Sequence, residues 1–81
     1  MAKADKFHKT NKKLVRLIGI KIRECRRKAG LTIEELGNIA NVNYKYLQRC
    51  ETGRVNISIS VLYSIAKGLR VQLKHFLSDI K

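Results

Sequence analysis

The chain has 81 residues and carries 18 Lys and Arg against six Asp and Glu, which gives a formal net charge of +12. One small domain fits this length, since domains typically have roughly 100–150 residues, whereas a large enzyme or an effector-binding receptor does not. With 44% hydrophobic and 30% charged residues the chain is globular in composition, and its basic excess favours a polyanionic partner, nucleic acid first and an anionic membrane surface second.

Residues 1–13 are polar and rich in lysine, and they show no helical pattern. Five lysines and Asp5 give this stretch a net charge of +4. We therefore predict a flexible basic arm over residues 1–13 and a single domain over residues 14–81. The arm would follow a DNA backbone or enter a minor groove, and a solvated tail is an equally good interpretation. The stretch lacks the apolar segment of a secretory signal, and no part of the chain has the ~20 apolar residues that cross a bilayer.

The first two helices are predicted from apolar spacing and from capping residues. The first begins at Leu14 and ends at Gly30, a residue type that terminates helices. Its apolar positions at helical spacing are Leu14, Ile18, Ile22, Cys25 and Ala29. The second begins with Thr32 as N-cap, and Glu35 three residues later completes a capping box. Its inward residues are predicted to be Leu36, Ile39 and Ala40.

Three further helices follow. Asn43 is a good N-cap for a third helix over residues 43–51, which the Thr52-Gly53 pair ends. Ser58 caps a fourth helix that Gly68 closes. The core positions of this fourth helix are predicted to be Ile59, Leu62, Ile65, Ala66 and Leu69. A fifth, short helix covers about residues 72–77. No segment has the period of a strand, so the sequence predicts an all-α, five-helix orthogonal bundle.

Residues 33–52 have the pattern of a helix-turn-helix, in which two short helices flank a turn of three or four residues. Gly37 supplies the small residue that a close approach of the two helices needs, although Gly costs about 1 kcal/mol relative to Ala in a helix interior. Asn41 supplies a residue that tolerates positive φ in the turn. The buried seam is predicted to consist of Leu36, Ala40, Val42, Leu47 and Cys50.

Four segments in order resemble the lambda repressor/Cro (XRE) family of five-helix DNA-binding domains. They are residues 22–26, 30–36, 47–53 and 65–69, and the resemblance covers roughly residues 14–78. Within that family, Tyr46-Leu47 and Asn56-Ile57-Ser58 are similar to the small controller proteins of restriction–modification systems. Two residues depart from the pattern. Ile33 stands where the family commonly has a Gln that bonds a phosphate, and Val55 stands where controller proteins often have Arg.

The resemblance implies a recognition helix over residues 43–51, lying in the major groove of DNA. The base contacts that it implies are Asn43, Tyr44, Lys45, Gln48 and Arg49. Among these, Arg49 has the forked shape that binds guanine through two hydrogen bonds. The implied phosphate contacts are Thr32, Tyr46, Arg54 and Asn56. Arg26 and Glu51 match the buried ion pair of the family. The plain alternative is that the polar residues of the third helix are only a solvated surface.

The last two helices carry more apolar surface than one small core needs. Members of the family dimerise at this place, so the resemblance implies a homodimer that sets two recognition helices ~34 Å apart on an inverted-repeat operator. The residues of the implied dimer interface are Val71, Leu73, Phe76 and Leu77.

The function predicted is therefore that of a transcriptional regulator that binds specific sites in double-stranded DNA. We expect it in the cytoplasm of a bacterium, or encoded by a phage or plasmid, and associated with the nucleoid. An antitoxin that binds both a toxin and its own promoter is the alternative, since such proteins use the same domain. RNA binding is less well supported, because the stacking aromatic residues of an RNA platform are lacking. No helix has the long apolar face that would insert into a membrane surface.

An enzyme is not expected, because no nucleophile, base and acid come together in the pattern. Glu34 and Glu35 are neighbours on a helix and do not converge. Cys25 and Cys50 occupy seam positions, and with only two histidines, both near the termini, they do not form a metal site. We expect no cofactor and no small-molecule effector.

Overall fold

A computed structural model describes residues 10–78 and residue 80 of the chain. It contains four α-helices and one 3₁₀ helix: α1 (Lys12–Lys28), α2 (Ile33–Ala40), α3 (Tyr44–Glu51), α4 (Ile59–Leu69) and the 3₁₀ helix Leu73–Phe76. The described residues contain no β-strand, so the predicted all-α bundle is confirmed. The fifth helix, expected over residues 72–77, is a 3₁₀ turn instead of an α-helix. Residues 1–9 of the predicted arm lie outside the described residues, whereas Lys12 and Lys13, also assigned to the arm, are the first two residues of α1 because Asn11 caps the helix there.

Side-chain caps determine where the α-helices begin. Asn11 Oδ1 accepts a hydrogen bond of 3.0 Å from the backbone N–H of Leu14, so α1 begins at Lys12, two residues before its apolar pattern. The predicted caps of the other three helices are confirmed as Thr32, Asn43 and Ser58. Each cap satisfies backbone N–H groups that have no partner inside the helix.

The ends of the helices are set by backbone conformation. Asn41 follows α2 with φ of 56°, as its place in the turn predicted. The prediction that Gly68 closes α4 is wrong, because the left-handed residue after that helix is Arg70, with φ of 59°. Gly68 instead lies in the last turn of α4, where an added Cβ would be 3.4 Å from the Cβ of Ala40. Its small size therefore lets α4 pack closely on α2.

The core receives one large side chain from every helical element. Fully buried are Ile22 from α1, Leu36 from α2, Leu47 from α3, Ile65 from α4 and Phe76 from the 3₁₀ helix. The prediction that Ile39 and Ile59 belong to the core is wrong, because their side chains are 55% and 60% exposed. Helices of two or three turns bury only a narrow apolar stripe, and both residues lie beside that stripe.

Two glycines allow close approaches between backbone segments. An added Cβ on Gly37 would lie 2.7 Å from the carbonyl oxygen of Val42, which confirms the close approach predicted within the helix-turn-helix. An added Cβ on Gly19 would clash with the carbonyl oxygen of Cys50 and lie 3.0 Å from that of Glu51. α1 therefore crosses the end of α3 in direct backbone contact. In the described part of the chain, no helix combines the length and apolarity that crossing a membrane requires.

Candidate nucleic-acid interface

α3 has two faces with different roles. Its inward face packs Leu47 and Cys50 into the core. Its outward face exposes four side chains that can hydrogen-bond: Tyr44, Lys45, Gln48 and Arg49. The i, i+1, i+4, i+5 spacing of these residues puts them on one side of a helix. The predicted inward and outward residues of this helix therefore lie where the sequence pattern placed them.

Asn43 lies at the start of this surface, and its side-chain oxygen caps the N-terminus of α3. Its Oδ1 accepts hydrogen bonds from the backbone N–H groups of Lys45, at 2.8 Å, and Tyr46, at 3.3 Å. The side-chain NH₂ group, a donor, is the part of Asn43 that can reach a ligand.

The outward face of α3 forms one wall of a groove, which we call the α3 groove. Its lining consists of Tyr44, Lys45, Gln48, Arg49, Thr52 and Arg54. Three of these residues are cations and none is a carboxylate. The groove thus brings together four predicted base contacts and one predicted phosphate contact, in an arrangement that suits an anion bearing hydrogen-bonding groups.

Thr32, a predicted phosphate contact, lies at the start of α2 and is occupied by its capping box. Its Oγ1 accepts from the backbone N–H of Glu35 at 3.1 Å, and its own N–H donates to Glu35 Oε1 at 2.8 Å. Hydrogen bonding to the Glu35 carboxylate, first from the backbone N–H of Thr32 and then from its side chain, holds the pKa of that carboxyl below its usual range.

Two predicted phosphate contacts lie outside the α3 groove. Tyr46 points away from the outward face and is half-buried, and this burial raises the pKa of its hydroxyl. Asn56 is exposed in the loop between α3 and α4. The structure therefore separates the predicted phosphate contacts into three places: the start of α2, the α3 groove and the following loop.

The ion pair implied by the resemblance is present between α1 and the end of α3. Arg26 Nε lies 2.7 Å from Glu51 Oε2, and Nη2 lies 3.0 Å from Oε1. The third guanidinium nitrogen donates to the carbonyl oxygen of Leu31 at 2.9 Å. The side chains are 14% and 5% exposed. Hydrogen bonding to Glu51 raises the pKa of Arg26 further, so its guanidinium is charged at any ordinary pH.

Two arginines of α1 that the sequence did not single out lie beside the helix-turn-helix. Exposed Arg23 borders a depression, here called the α1–α3 depression, whose other lining residues are Arg26, Thr32, Ile33, Gln48, Glu51 and Thr52. Arg16, also exposed, lies next to Gly53, where an added Cβ would be 3.2 Å from the Arg16 Cα. The only signal in the sequence is the charge of +5 over residues 14–30 beside −1 over residues 31–53.

The predicted dimer residues differ in how much surface they offer. The prediction that Phe76 belongs to the dimer interface is wrong. Phe76 is fully buried in the core of one chain, so its side chain cannot contact a second copy. Val71 and Leu73 are half-buried against the core, and Leu77 is 38% exposed. Tyr63 on α4 is also exposed, with the Lys67 ammonium 5.5 Å from its ring centroid.

The two cysteines lie away from the α3 groove. Burial raises the pKa of the Cys50 thiol to about 11. Partial burial also raises the pKa of the Cys25 thiol. Within residues 10–78 and residue 80, no group of His, Cys, Asp and Glu side chains is arranged to hold a metal ion.

Comparison with known proteins places these features in a family. Residues 22–76, more than half of the chain, match the family model HTH_3, helix-turn-helix. An uncharacterized transcriptional regulator in the ATPase CF(0) region of Rhodospirillum rubrum is 38% identical over 64 residues. That match covers 79% of this chain and 59% of the relative, so the chain spans less than two thirds of the length of that curated relative.

Two solved structures have the same fold. The restriction–modification controller protein C.AhdI from Aeromonas hydrophila superposes with a TM-score of 0.75 at 24% identity, over 76% of this chain and 94% of that protein. The controller protein C.Esp1396I, solved as a tetramer in complex with its natural 35 base-pair operator, gives a TM-score of 0.74 at 29% identity. The second match covers 80% of this chain and 86% of that protein.

Proposed function

Because the chain belongs to the HTH_3 helix-turn-helix family of DNA-binding transcriptional regulators, we propose that it controls transcription by binding specific sites in double-stranded DNA as a homodimer. The observation that carries this proposal is the α3 groove, where the outward residues of α3 meet Arg54 beside a helix held rigidly by the core. A rigid helix with a polar outer face fits the major groove of B-DNA, which is about 12 Å wide.

In this proposal α3 reads base edges. Arg49 donates two hydrogen bonds to O6 and N7 of guanine, a contact worth about 1–3 kcal/mol of discrimination. Gln48 has the amide that matches adenine, and Lys45 can bind guanine or a phosphate. Tyr44 packs on a thymine methyl group or bonds a phosphate. Asn43 contributes through its free NH₂ group.

Phosphate contacts fix the position of α3 on the duplex. Arg54 and Asn56 hold the backbone on the side of the α3–α4 loop, while Thr32 holds it at the start of α2. Tyr46 would act beside the loop through its hydroxyl. The lysine-rich residues before α1 are proposed to be a basic arm along the DNA, attached to the domain at the Asn11 cap and Lys12, where α1 begins.

A second copy would pack on the surface formed by Val71, Leu73 and Leu77. Two copies related by a two-fold axis place their recognition helices about one DNA turn apart, so the operator is proposed to be an inverted repeat. The tetramer of C.Esp1396I on its 35 base-pair operator supports an assembly of more than one copy on DNA. We propose that the protein works in the cytoplasm at the nucleoid, without enzymatic activity, cofactor or small-molecule effector.

The proposal is tested by selecting bound duplexes from a random DNA pool at about 150 mM salt, where binding through charge alone is weakened. We expect an enriched inverted repeat with half-sites about one helical turn apart. Arg49→Gln should relax the preference at one base pair of each half-site, while the control Arg27→Gln, at an exposed residue of α1 that does not line the α3 groove, should leave the selected motif unchanged. A wild-type protein that enriches no motif would contradict the proposal and favour an antitoxin that needs its partner.

A further inference from the structure

The helix-turn-helix itself carries too little positive charge to bind DNA strongly. Residues 31–53, which contain α2 and α3, have a net charge of −1, because three glutamates outweigh Lys45 and Arg49. Affinity for duplex DNA depends mainly on cations that neutralise phosphates and release counterions. The cations must therefore come from neighbouring elements, and residues 14–30, with a net charge of +5, are the richest source among the described residues.

The packing of α1 brings part of this charge to the helix-turn-helix. The contact of Gly19 with the carbonyl groups of Cys50 and Glu51 sets α1 directly against the end of α3. The hydrogen bonds from Arg26 to Glu51 fix the same crossing two turns further along. The exposed residues of α1 on this side are consequently held at fixed places relative to α3.

Arg16 and Arg23 are the exposed cations at these places. Arg23 borders the α1–α3 depression, together with Gln48 of α3 and Thr32 at the start of α2. The adjacent carboxylate, Glu51, is already neutralised by Arg26. Arg16 touches Gly53, the residue before Arg54. The two arginines are seven residues apart, which is about 10 Å along a helix axis, so they would reach different phosphates.

We propose that Arg16 and Arg23 form a phosphate clamp on α1 that binds the DNA backbone beside the α3 groove. This inference rests on the proposed function and extends the DNA interface from the helix-turn-helix to the first helix. The clamp supplies affinity without sequence preference, because phosphates are the same at every base pair.

The test compares the salt dependence of binding for two double variants that lose the same charge. R16Q/R23Q removes the clamp. R27Q/K28Q is the matched control on the same helix, where Arg27 and Lys28 line a separate groove with His75 and Ser78. Fluorescence anisotropy with the selected duplex and with a scrambled duplex, from about 50 to 200 mM salt, gives the slope of log K against log salt for each protein.

We expect R16Q/R23Q to lower the steepness of the slope by about 1 for each lost contact, hence about 4 for a homodimer, on both duplexes. The selected motif should stay the same. R16K/R23K should keep the wild-type slope, because it retains the charge, and thermal melting should show that all variants are folded.

Equal slopes for R16Q/R23Q and R27Q/K28Q would overturn the clamp, and so would an unchanged slope in the first variant. If the wild-type protein enriches no motif, the proposed function fails first, and the clamp falls with it. A motif that is enriched by the wild type, with no slope change in R16Q/R23Q, refutes the clamp alone.

Discussion

Replacing Arg26 with Met should destabilise the protein more than any change of an exposed arginine. The substitution leaves the Glu51 carboxylate 5% exposed and without the two hydrogen bonds that Arg26 donates to it. It also removes the hydrogen bond to the carbonyl oxygen of Leu31. Stranding one member of a buried pair costs about 3–5 kcal/mol, because the remaining charge has lost both its partner and water.

This cost is large relative to the whole stability of the chain. At roughly 0.05–0.15 kcal/mol per residue, a domain of this size has a free energy of unfolding of about 4–12 kcal/mol. Each kcal/mol shifts Tm by about 4–8 °C in a domain of 60–100 residues, so Arg26→Met should lower Tm by at least about 12 °C. Urea unfolding and thermal melting, both followed by far-ultraviolet circular dichroism, measure the two quantities.

Two further variants test whether the loss of stability comes from breaking the buried ion pair or from removing any positive charge. Arg27→Ala removes an exposed arginine next along the chain and should cost no more than about 0.5 kcal/mol. Arg26→Met combined with Glu51→Leu should recover most of the stability, since apolar replacement of a complete buried pair is often neutral. A loss for Arg26→Met that is no larger than that of Arg27→Ala would refute the reasoning, and so would a double variant less stable than either single one.

Three other results follow from backbone contacts and from pKa shifts. Gly37→Ala should lower the free energy of unfolding by about 1–3 kcal/mol despite the better helix propensity of Ala, because the new Cβ would lie 2.7 Å from a backbone oxygen. Gly68→Ala should cost less in urea unfolding, because its tightest contact would be with the Ile39 side chain at 3.2 Å, which can shift. At pH 8 about a thousandth of the Cys50 thiol is ionised, so mass spectrometry after brief alkylation of the folded protein should find label on Cys25 before Cys50. Hydrogen bonds lower the pKa of Glu35 in the folded state, so the ionised carboxylate stabilises the fold. This contribution to the free energy of unfolding is fully present above the ordinary glutamate pKa of about 4.3, and it is lost as pH falls through the folded pKa. The Tm difference between wild type and Glu35→Gln should therefore be larger at pH 7 than at pH 3, and an equal difference would contradict this.

The local features of the fold could be predicted from the sequence because each depends on a few adjacent residues. The capping box of Thr32 and Glu35 and the left-handed Asn41 are of this kind. The close approach at Gly37 was also predictable, since a glycine inside a helix needs a reason to be there. The outward residues of α3 could be predicted for the same reason, because helical periodicity within one short segment decides which side chains point outward.

Features that depend on how helices cross could not be predicted. Gly19 is as small as Gly37, but its contact is with α3, which is more than twenty residues further along the chain. The spacing of the apolar residues around Phe76 fits a core and a dimer surface equally well. Phe76 is buried in the core because of how the 3₁₀ helix packs, which the sequence pattern does not show. The place of Arg16 and Arg23 beside the helix-turn-helix could not be predicted, because it follows from the Gly19 contact between α1 and α3.

The two faces of α3 have a consequence for how such a protein can change its target. The inward residues Leu47 and Cys50 and the paired Glu51 hold the helix, while the four outward residues are exposed. An isolated helix of eight residues is too short to be stable in water, so α3 depends on its inward face and on the Asn43 cap. Exchanging the outward side chains should therefore cost little folding stability, and under the proposed function it would change the DNA sequence that the protein binds. A library of this protein varied only at these four positions would be a small starting set for regulators of synthetic gene circuits.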